Sequence, residues 1–361
     1  YVASNILHDE RTYLSLLILV PTIPIIAAAS AVRGYFYGTQ QVMAPAISQI
    51  AEQAVKMVIV MALASVFIPK GLEYACALAT LGMVAGEIIN LAVLMPIYFL
   101  KNKNIKKGHR EKRISRRRTI LSKLIKIAIP VSANRFVVSA LSSIEHIAIP
   151  SMLVIGGLDY SSSMETFGKL SGMALPLILF PSLVTGSLAT TLVPAISESS
   201  TLGRYRAVNI RIEKSIRLSI ILGVIFTVVF IACPNEISDF IYPSQNAGFL
   251  LKALSYSCVF IYLQQTLTGI MNGLGQQGAL LRNTLVGSFI RIAAVFILIP
   301  IYGIKSYTWG IVASYIITVA LNLLSMNKVT GLVIDIRKWV IKPGLASVLM
   351  ILCYGIVKDI L

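Results

Sequence analysis

The sequence predicts an all-α membrane protein, and two observations support this prediction. The chain of 361 residues is 56% hydrophobic and only 13% charged, whereas soluble domains are nearer to a quarter charged. It also contains about ten apolar stretches. Each is at least about 20 residues long, which is the length that a helix needs to cross a bilayer. We place these predicted spans at 12–31, 46–68, 74–100, 121–154, 170–195, 216–233, 249–271, 284–301, 308–326 and 340–358.

Positive charge is concentrated in alternate connections between the predicted spans. If the connections alternate across the membrane, one side holds 23 of the 32 lysines and arginines but 4 of the 15 acidic residues. The positive-inside rule makes this side cytoplasmic. The basic segment 101–126 lacks the interleaved aromatic side chains that stack on bases. We therefore predict attraction to anionic membrane lipids and no nucleic-acid partner.

Three short segments recur later in the chain in the same order, at separations of 231 to 237 residues. The matched pairs are RGYFYGTQQ at 33–41 with NGLGQQG at 272–278, FIP at 67–69 with LIP at 298–300, and INL at 89–91 with LNL at 321–323. Both copies lie on helices that run in the same direction in the predicted topology. The pattern therefore indicates parallel repeats related by an axis along the membrane normal.

The repeat and the spans predict four parts of the chain. Residues 1–100 would be the last three helices of an N-terminal bundle, and 101–123 would be a basic cytoplasmic linker. Residues 124–326 would form a C-terminal six-helix bundle, and 327–361 an additional C-terminal helix. The expected architecture is a transporter of two six-helix bundles with additional C-terminal helices. We expect the first three helices of the N-terminal bundle to be missing from this chain.

The predicted span 121–154 has a polar stripe whose members recur at spacings of three and four residues. Its five side chains lie within about 80° of one helical face. They are Ser132, Arg135, Ser139, Ser142 and His146. Arg135 lies roughly 16 Å beyond Leu124 along the helix, which is near the middle of the bilayer. A cation at that depth must face the protein interior, where it meets either an acid such as Glu145 or a bound anion.

Other charged side chains in the spans are candidates for a substrate or coupling site. Arg291 is a second deep cation. Glu52 and Lys56, which belong to a stripe with Gln49 and Gln53, either neutralise each other or line a cavity.

Glycine and proline positions predict how particular helices pack and bend. Gly82 and Gly86, which precede Glu87, form a GxxxG pair that favours close helix packing over chemistry. A later span contains Pro176, Pro181 and Pro194. We expect this span to be kinked or locally unwound, because proline removes a helical hydrogen bond.

Motifs of enzymes and metal sites are absent from the sequence. The chain has no GxSxG, HExxH or Walker A motif. Its three histidines and four cysteines lack the spacing of metal ligands. We predict that the chain is not an enzyme and has no metal site and no cofactor.

Several long blocks resemble a known family. They are RGYFYGTQQ at 33–41, AISQIAEQAVK at 46–56, GLEYACALATLGMVAGE at 71–87 and GKLSGMALPLILFPSLVTGSLATTLVPAISES at 168–199. These blocks are similar to the polysaccharide transporter branch of the multidrug/oligosaccharidyl-lipid/polysaccharide flippase superfamily, which includes lipid II flippases. The resemblance implies two parallel six-helix bundles around a central cavity in the bacterial cytoplasmic membrane.

The resemblance also implies a function. The cargo would be an undecaprenyl-pyrophosphate-linked saccharide, such as a peptidoglycan precursor for the spore cortex, moved to the outer leaflet by alternating access. From the polar stripe we add the hypothesis that Arg135, with Arg291 as a second candidate, would hold the diphosphate. Ser139, Ser142 and His146 would line the path of the sugar.

Two other functions stay open at this point. A cation-coupled multidrug exporter of the same superfamily would need membrane acids that exchange protons or Na⁺. Candidates for the cavity or for coupling are Glu52, Lys56, Glu87 and Glu145. A non-transporting scaffold would instead dock envelope-synthesis enzymes on the basic loop.

Overall fold

The computed structural model describes residues 13–39, 41–106, 117–243 and 245–331. Within these ranges the chain is almost entirely helical and has no strand. Six helices are long and apolar enough to cross a membrane, or up to eight spans are present if each of two bent helix pairs is one span. The chain is therefore an all-α membrane protein, as predicted. The predicted span 340–358 lies outside the described residues.

The chain divides into two compact units, Tyr1–Ile114 and Ser115–Leu361. The described helices of the first unit are α1 (Tyr13–Leu19), α2 (Thr22–Gly38), α3 (Met43–Phe67) and α4 (Leu72–Lys106). Helices α1 and α2 form a pair bent by 40°, and a 3-10 turn, Ile68–Lys70, follows α3. The finer division of the chain into four parts stays a prediction.

Small residues allow α4 to approach α3 closely. A Cβ atom on Gly82 would lie 2.8 Å from Val60 Cγ2, and one on Gly86 would lie 3.1 Å from the carbonyl oxygen of Glu52. Both positions therefore need glycine if the helices are to keep this distance. The prediction that this GxxxG pair packs two helices together is confirmed.

The second unit contains eleven described helices. They are α5 (Arg117–Ile155), α6 (Tyr160–Gly168), α7 (Leu175–Leu179), α8 (Ser182–Thr201), α9 (Tyr205–Ala232), α10 (Pro234–Ile241), α11 (Gly248–Ser255), α12 (Cys258–Gly273), α13 (Gln277–Ala293), α14 (Ile299–Tyr302) and α15 (Ile304–Thr330). One π-helical turn, Lys169–Ala174, joins α6 to α7, and another, Ala294–Leu298, joins α13 to α14. The predicted span 249–271 is divided between α11 and α12.

The proline-rich span is broken, as predicted. The segments Tyr160–Leu179 and Ser182–Thr201 meet at an angle of 60°. Pro181 lies at this break, where its missing N–H leaves a carbonyl without a helical partner. The buried hydroxyl of Tyr262 donates a hydrogen bond of 2.8 Å to the carbonyl oxygen of Ile178 in the last turn before the break. One main-chain carbonyl in the last turn before the break is therefore satisfied by a side chain of α12.

Helix α12 is central to the second unit because it packs against α8, α9 and α15. Its apolar residues contribute to two buried clusters: Tyr262 belongs to one, and Leu267 and Ile270 belong to the other. Helix α8 approaches α12 so closely that a Cβ atom on Gly269 would lie 2.5 Å from the carbonyl oxygen of Ala189. Because the carbonyl oxygen of Ala189 is a backbone atom, it cannot move aside as a flexible side chain does. Position 269 therefore needs glycine if α8 and α12 are to stay this close.

Both units bury the asparagine of the third matched segment. In the first unit, Asn90 on α4 donates a hydrogen bond of 2.6 Å to Glu52 on α3. In the second unit, Asn322 on α15 accepts a hydrogen bond of 2.9 Å from Asn283 on α13. Each unit therefore joins two helices through a fully buried asparagine at the same place in the repeat. This shared contact supports the predicted repeat.

We predict that Gly269→Ala destabilises the protein by about 1–3 kcal/mol, because the new methyl group forces α8 and α12 apart. The matched control is Gly278→Ala on α13, where a Cβ atom meets nothing within 4 Å. Thermal unfolding in detergent measures both variants. Equal melting temperatures for the two variants would contradict the close approach of α8 to α12.

Candidate functional site

A cavity of about 830 Å³ lies within the second unit, and the polar stripe of α5 forms one of its walls. Four of the five predicted stripe residues line it: Arg135, Ser139, Ser142 and His146. Ser132 is not among the lining residues. The volume falls within the range of sites that hold small molecules or ligand head groups. The periodicity of α5 therefore identified one face of a real cavity.

Arg135 has no protein counter-ion among the described residues. Its side chain is exposed to the cavity and forms no hydrogen bond or ion pair with any residue that the structure describes. His146 lies further along the same wall, with its ring edge-on to Phe167 at a centroid distance of 5.8 Å. This wall therefore offers a guanidinium group whose hydrogen-bond donors are available to a ligand.

The other walls of the cavity come from α12 and α13, which were not predicted from the sequence. They contribute uncharged amide and hydroxyl groups. These side chains are Gln264, Thr268, Asn272, Gln277 and Thr284. The first three recur every four residues along α12, so the same helical periodicity that identified the α5 stripe could have found them. The cavity thus has one cationic wall, and its other walls carry neutral polar groups.

Glu145 forms an ion pair, but with Arg291 and not with Arg135. The Nε atom of Arg291 donates to both carboxylate oxygens of Glu145, at 3.1 and 3.2 Å. Tyr307 also donates to this carboxylate, at 3.1 Å. The alternative in which Glu145 neutralises Arg135 is therefore wrong in this structure, because Arg291 from α13 occupies that acid.

Arg291 is not among the residues that line the cavity. Besides its contacts with Glu145, its terminal nitrogens donate to Ser314 at 3.2 Å and to Ser288 at 3.1 Å. Every nitrogen of this guanidinium group therefore has a protein partner. Together with its place outside the cavity, this indicates a structural role.

A second polar cluster lies in the first unit, where α3 meets α4. Glu52 accepts the hydrogen bond from Asn90, and Glu87 lies within electrostatic reach of Glu52. One carboxylate oxygen of Glu87 and the side-chain oxygen of Asn90 are buried and have no hydrogen-bond partner among the described residues. Lys56 forms no ion pair with Glu52 in the described structure, so the predicted neutralisation of these two residues is not observed.

Potential metal ligands are dispersed over the part of the chain that the structure describes. No three His, Cys, Asp or Glu side chains come together there in a way that could hold a metal ion.

These features define the class of the protein. It is a multi-pass bacterial membrane protein whose second unit contains a cavity lined in part by polar side chains. Residues 1–200 match the family model described as polysaccharide biosynthesis protein. The chain belongs to this family. Its membership supports a transport role over an enzymatic one.

The curated relatives agree with this family. The chain is 31% identical over 355 residues to stage V sporulation protein B of Bacillus subtilis (strain 168), an alignment that covers 98% of this chain and 68% of that protein. It is 22% identical to sporulation protein YkvU of the same organism, over 72% of this chain and 57% of the relative. It is also 22% identical to the uncharacterized membrane protein YabM, again of Bacillus subtilis, over 88% and 59% respectively. No solved structure gives a significant match.

We predict that Arg291→Met alone destabilises the protein by about 3–5 kcal/mol, because it leaves the Glu145 carboxylate buried without its cation. The double variant Glu145→Leu/Arg291→Met should recover much of this loss, since both charges are then absent. Thermal unfolding in detergent compares the two. A double variant that is less stable than the single variant would contradict this explanation, because the loss of stability would then not come from the unpaired Glu145 carboxylate.

Proposed function

We propose that this chain is part of a flippase that moves a lipid-linked saccharide from the inner to the outer leaflet of the bacterial cytoplasmic membrane by alternating access. The observation that supports it best is Arg135, a cation that lines a polar cavity and has no counter-ion among the described residues. A cation in that setting is costly unless an anion joins it. A diphosphate on a lipid carrier supplies such an anion.

The chemistry of the walls suits the two parts of such a ligand. A guanidinium group donates paired hydrogen bonds to phosphate oxygens. Ser139, Ser142 and His146 on the same wall, and the amides and hydroxyls of α12 and α13, match the hydroxyl and amide groups of a sugar. Outward movement of each negative charge is favoured by about 2.3 kcal/mol per 100 mV when the cell interior is negative, so the membrane potential would help export.

The biological setting is proposed from the relatives. Two of them are named as sporulation proteins, and we propose a peptidoglycan precursor for the spore cortex as the cargo. Anionic membrane lipids would contact the basic segment 101–126. Envelope-synthesis enzymes are proposed partners because they would supply and consume the cargo.

We predict that Arg135→Ala in the full-length protein weakens binding of farnesyl diphosphate by about 10- to 100-fold, because charge-assisted hydrogen bonds are lost. Arg135→Lys should retain part of the affinity, since it keeps the charge but not the paired donors. Isothermal titration in detergent measures the dissociation constants.

The control for this experiment is Lys305→Ala. Lys305 is exposed, lies near the ring of Phe249 and does not line the cavity. An Arg135→Ala protein that unfolds at the normal temperature and binds farnesyl diphosphate as tightly as the Lys305→Ala protein would remove Arg135 from the mechanism.

A second candidate function, cation-coupled export, is favoured by one specific observation in the first unit. The buried oxygen of Glu87 has no hydrogen-bond partner among the described residues, and Glu87 lies within electrostatic reach of Glu52 and Arg33. Oxygen atoms in such a group can accept a proton or contribute to a Na⁺ site. Movement of protons or Na⁺ through these residues could drive export of a lipid-linked saccharide as well as export of a drug.

We predict that Glu87→Gln makes transport in proteoliposomes insensitive to an imposed Na⁺ or proton gradient, because the amide can neither release a proton nor balance a cation. Glu165→Gln is the control, since Glu165 is an exposed acid paired with Lys169 at 2.7 Å. Transport by Glu87→Gln that responds to both gradients like the control would exclude Glu87 from coupling.

A further inference from the structure

A chain of side-chain hydrogen bonds runs through the second unit from the backbone of α15 to the cavity. The hydroxyl of Ser325 donates to the carbonyl oxygen of Leu321 at 2.8 Å. Asn283 then donates from Nδ2 to Ser325 Oγ at 3.1 Å and to Asn322 Oδ1 at 2.9 Å. Asn322 in turn donates from Nδ2 to Gln264 Oε1 at 2.9 Å. The last member, Gln264, lines the cavity.

The direction of this chain is fixed at its far end. A serine hydroxyl has one proton, and Ser325 uses it for a main-chain carbonyl, which can only accept. Ser325 Oγ can therefore only accept from Asn283. Asn283 must present its amide nitrogen, and Asn322 must turn its oxygen toward Asn283 and its nitrogen toward Gln264. A reversed chain would lose the bond between Ser325 and Leu321.

The consequence appears at Gln264. Its Oε1 atom is occupied by Asn322, whereas its Nε2 atom has no hydrogen-bond partner among the described residues and is not buried. The side chain therefore has an unengaged donor nitrogen, whereas its oxygen is turned toward Asn322 and already accepts one hydrogen bond. A glutamine that could rotate freely would offer either atom. Asn283 and Asn322 are fully buried and cannot themselves reach a ligand in the cavity.

We propose that Gln264 is a preset hydrogen-bond donor to phosphate oxygens in the cavity, and that Asn322 is a positioning residue that sets this polarity without touching the ligand. The inference rests on the proposed function, because it assigns the same cavity to a diphosphate. Gln264 and Arg135 line that cavity from different helices; Arg135 has only donors, and the polar atom of Gln264 without a described partner is its Nε2 donor. Their combination selects an anionic oxygen ligand over a cationic drug.

The test is a double-mutant cycle on the full-length protein, with farnesyl diphosphate as the probe. Asn322→Asp keeps the shape of the side chain but leaves only acceptors, so Gln264 must rotate to donate to it and then presents Oε1 to the cavity. The expected result is about a tenfold weaker affinity for farnesyl diphosphate. The added negative charge would also repel the probe, and the Gln264→Leu background separates the two effects.

In the Gln264→Leu background, Asn322→Asp should cause a much smaller loss of affinity, because the side-chain amide whose orientation Asn322 sets is then absent. Ser325→Ala is a second, uncharged variant: it removes the group that sets the direction and should weaken binding about two- to fivefold. It also keeps the proposal testable if Asn322→Asp does not fold, as judged by its melting temperature.

The outcomes separate this inference from the proposed function. If the unaltered protein does not bind farnesyl diphosphate, or binds it without dependence on Arg135, the proposed function fails and the inference fails with it. If binding depends on Arg135 but Asn322→Asp has the same effect in both backgrounds, the positioning role of Asn322 is overturned and the proposed function stands. The positioning role is likewise overturned if Ser325→Ala and Gln264→Leu bind like the unaltered protein.

Discussion

Hydrocarbon offers a polar side chain no hydrogen-bond partner, so each charge inside a membrane protein must find one in the protein or in a water-filled cavity. The second unit shows both solutions. Arg291 is surrounded by Glu145, Ser288 and Ser314, which use all of its nitrogens. Arg135 lines the cavity and has no such partner among the described residues. The protein therefore holds Arg291 in place, whereas the donors of Arg135 are available to a ligand.

The same constraint explains the amides behind the cavity. Burying an asparagine is costly unless most of its polar atoms have partners, and a hydrogen bond to one neighbour fixes which atom faces the next. The chain from Leu321 to Gln264 therefore transmits an orientation as well as stability. In the first unit the equivalent asparagine, Asn90, donates to Glu52, and its own oxygen and one oxygen of Glu87 have no partner among the described residues. Corresponding positions of the repeat thus serve different chemistry in the two units.

Much of the fold and one wall of the site could be predicted from the sequence, because both depend on local periodicity. Span length, the break at Pro181, the GxxxG contact of Gly82 and Gly86, and the α5 stripe all follow from positions within one helix. The partners of those helices could not be predicted in this way. Arg291 reaches Glu145 across 146 positions of the chain, and periodicity gives the face of a helix without saying which helix it meets. For the same reason, the sequence did not reveal that α12 and α13 form the other walls of the cavity.

The central claim is that the guanidinium group of Arg135 is satisfied by the cargo and not by the protein. Electron cryo-microscopy of the full-length protein with an undecaprenyl diphosphate-linked disaccharide tests this most directly. The account predicts density for the diphosphate within hydrogen-bond distance of Arg135, with Arg291 still paired to Glu145. A map in which Arg135 contacts a protein carboxylate or acyl chains, while the diphosphate lies elsewhere, would contradict it.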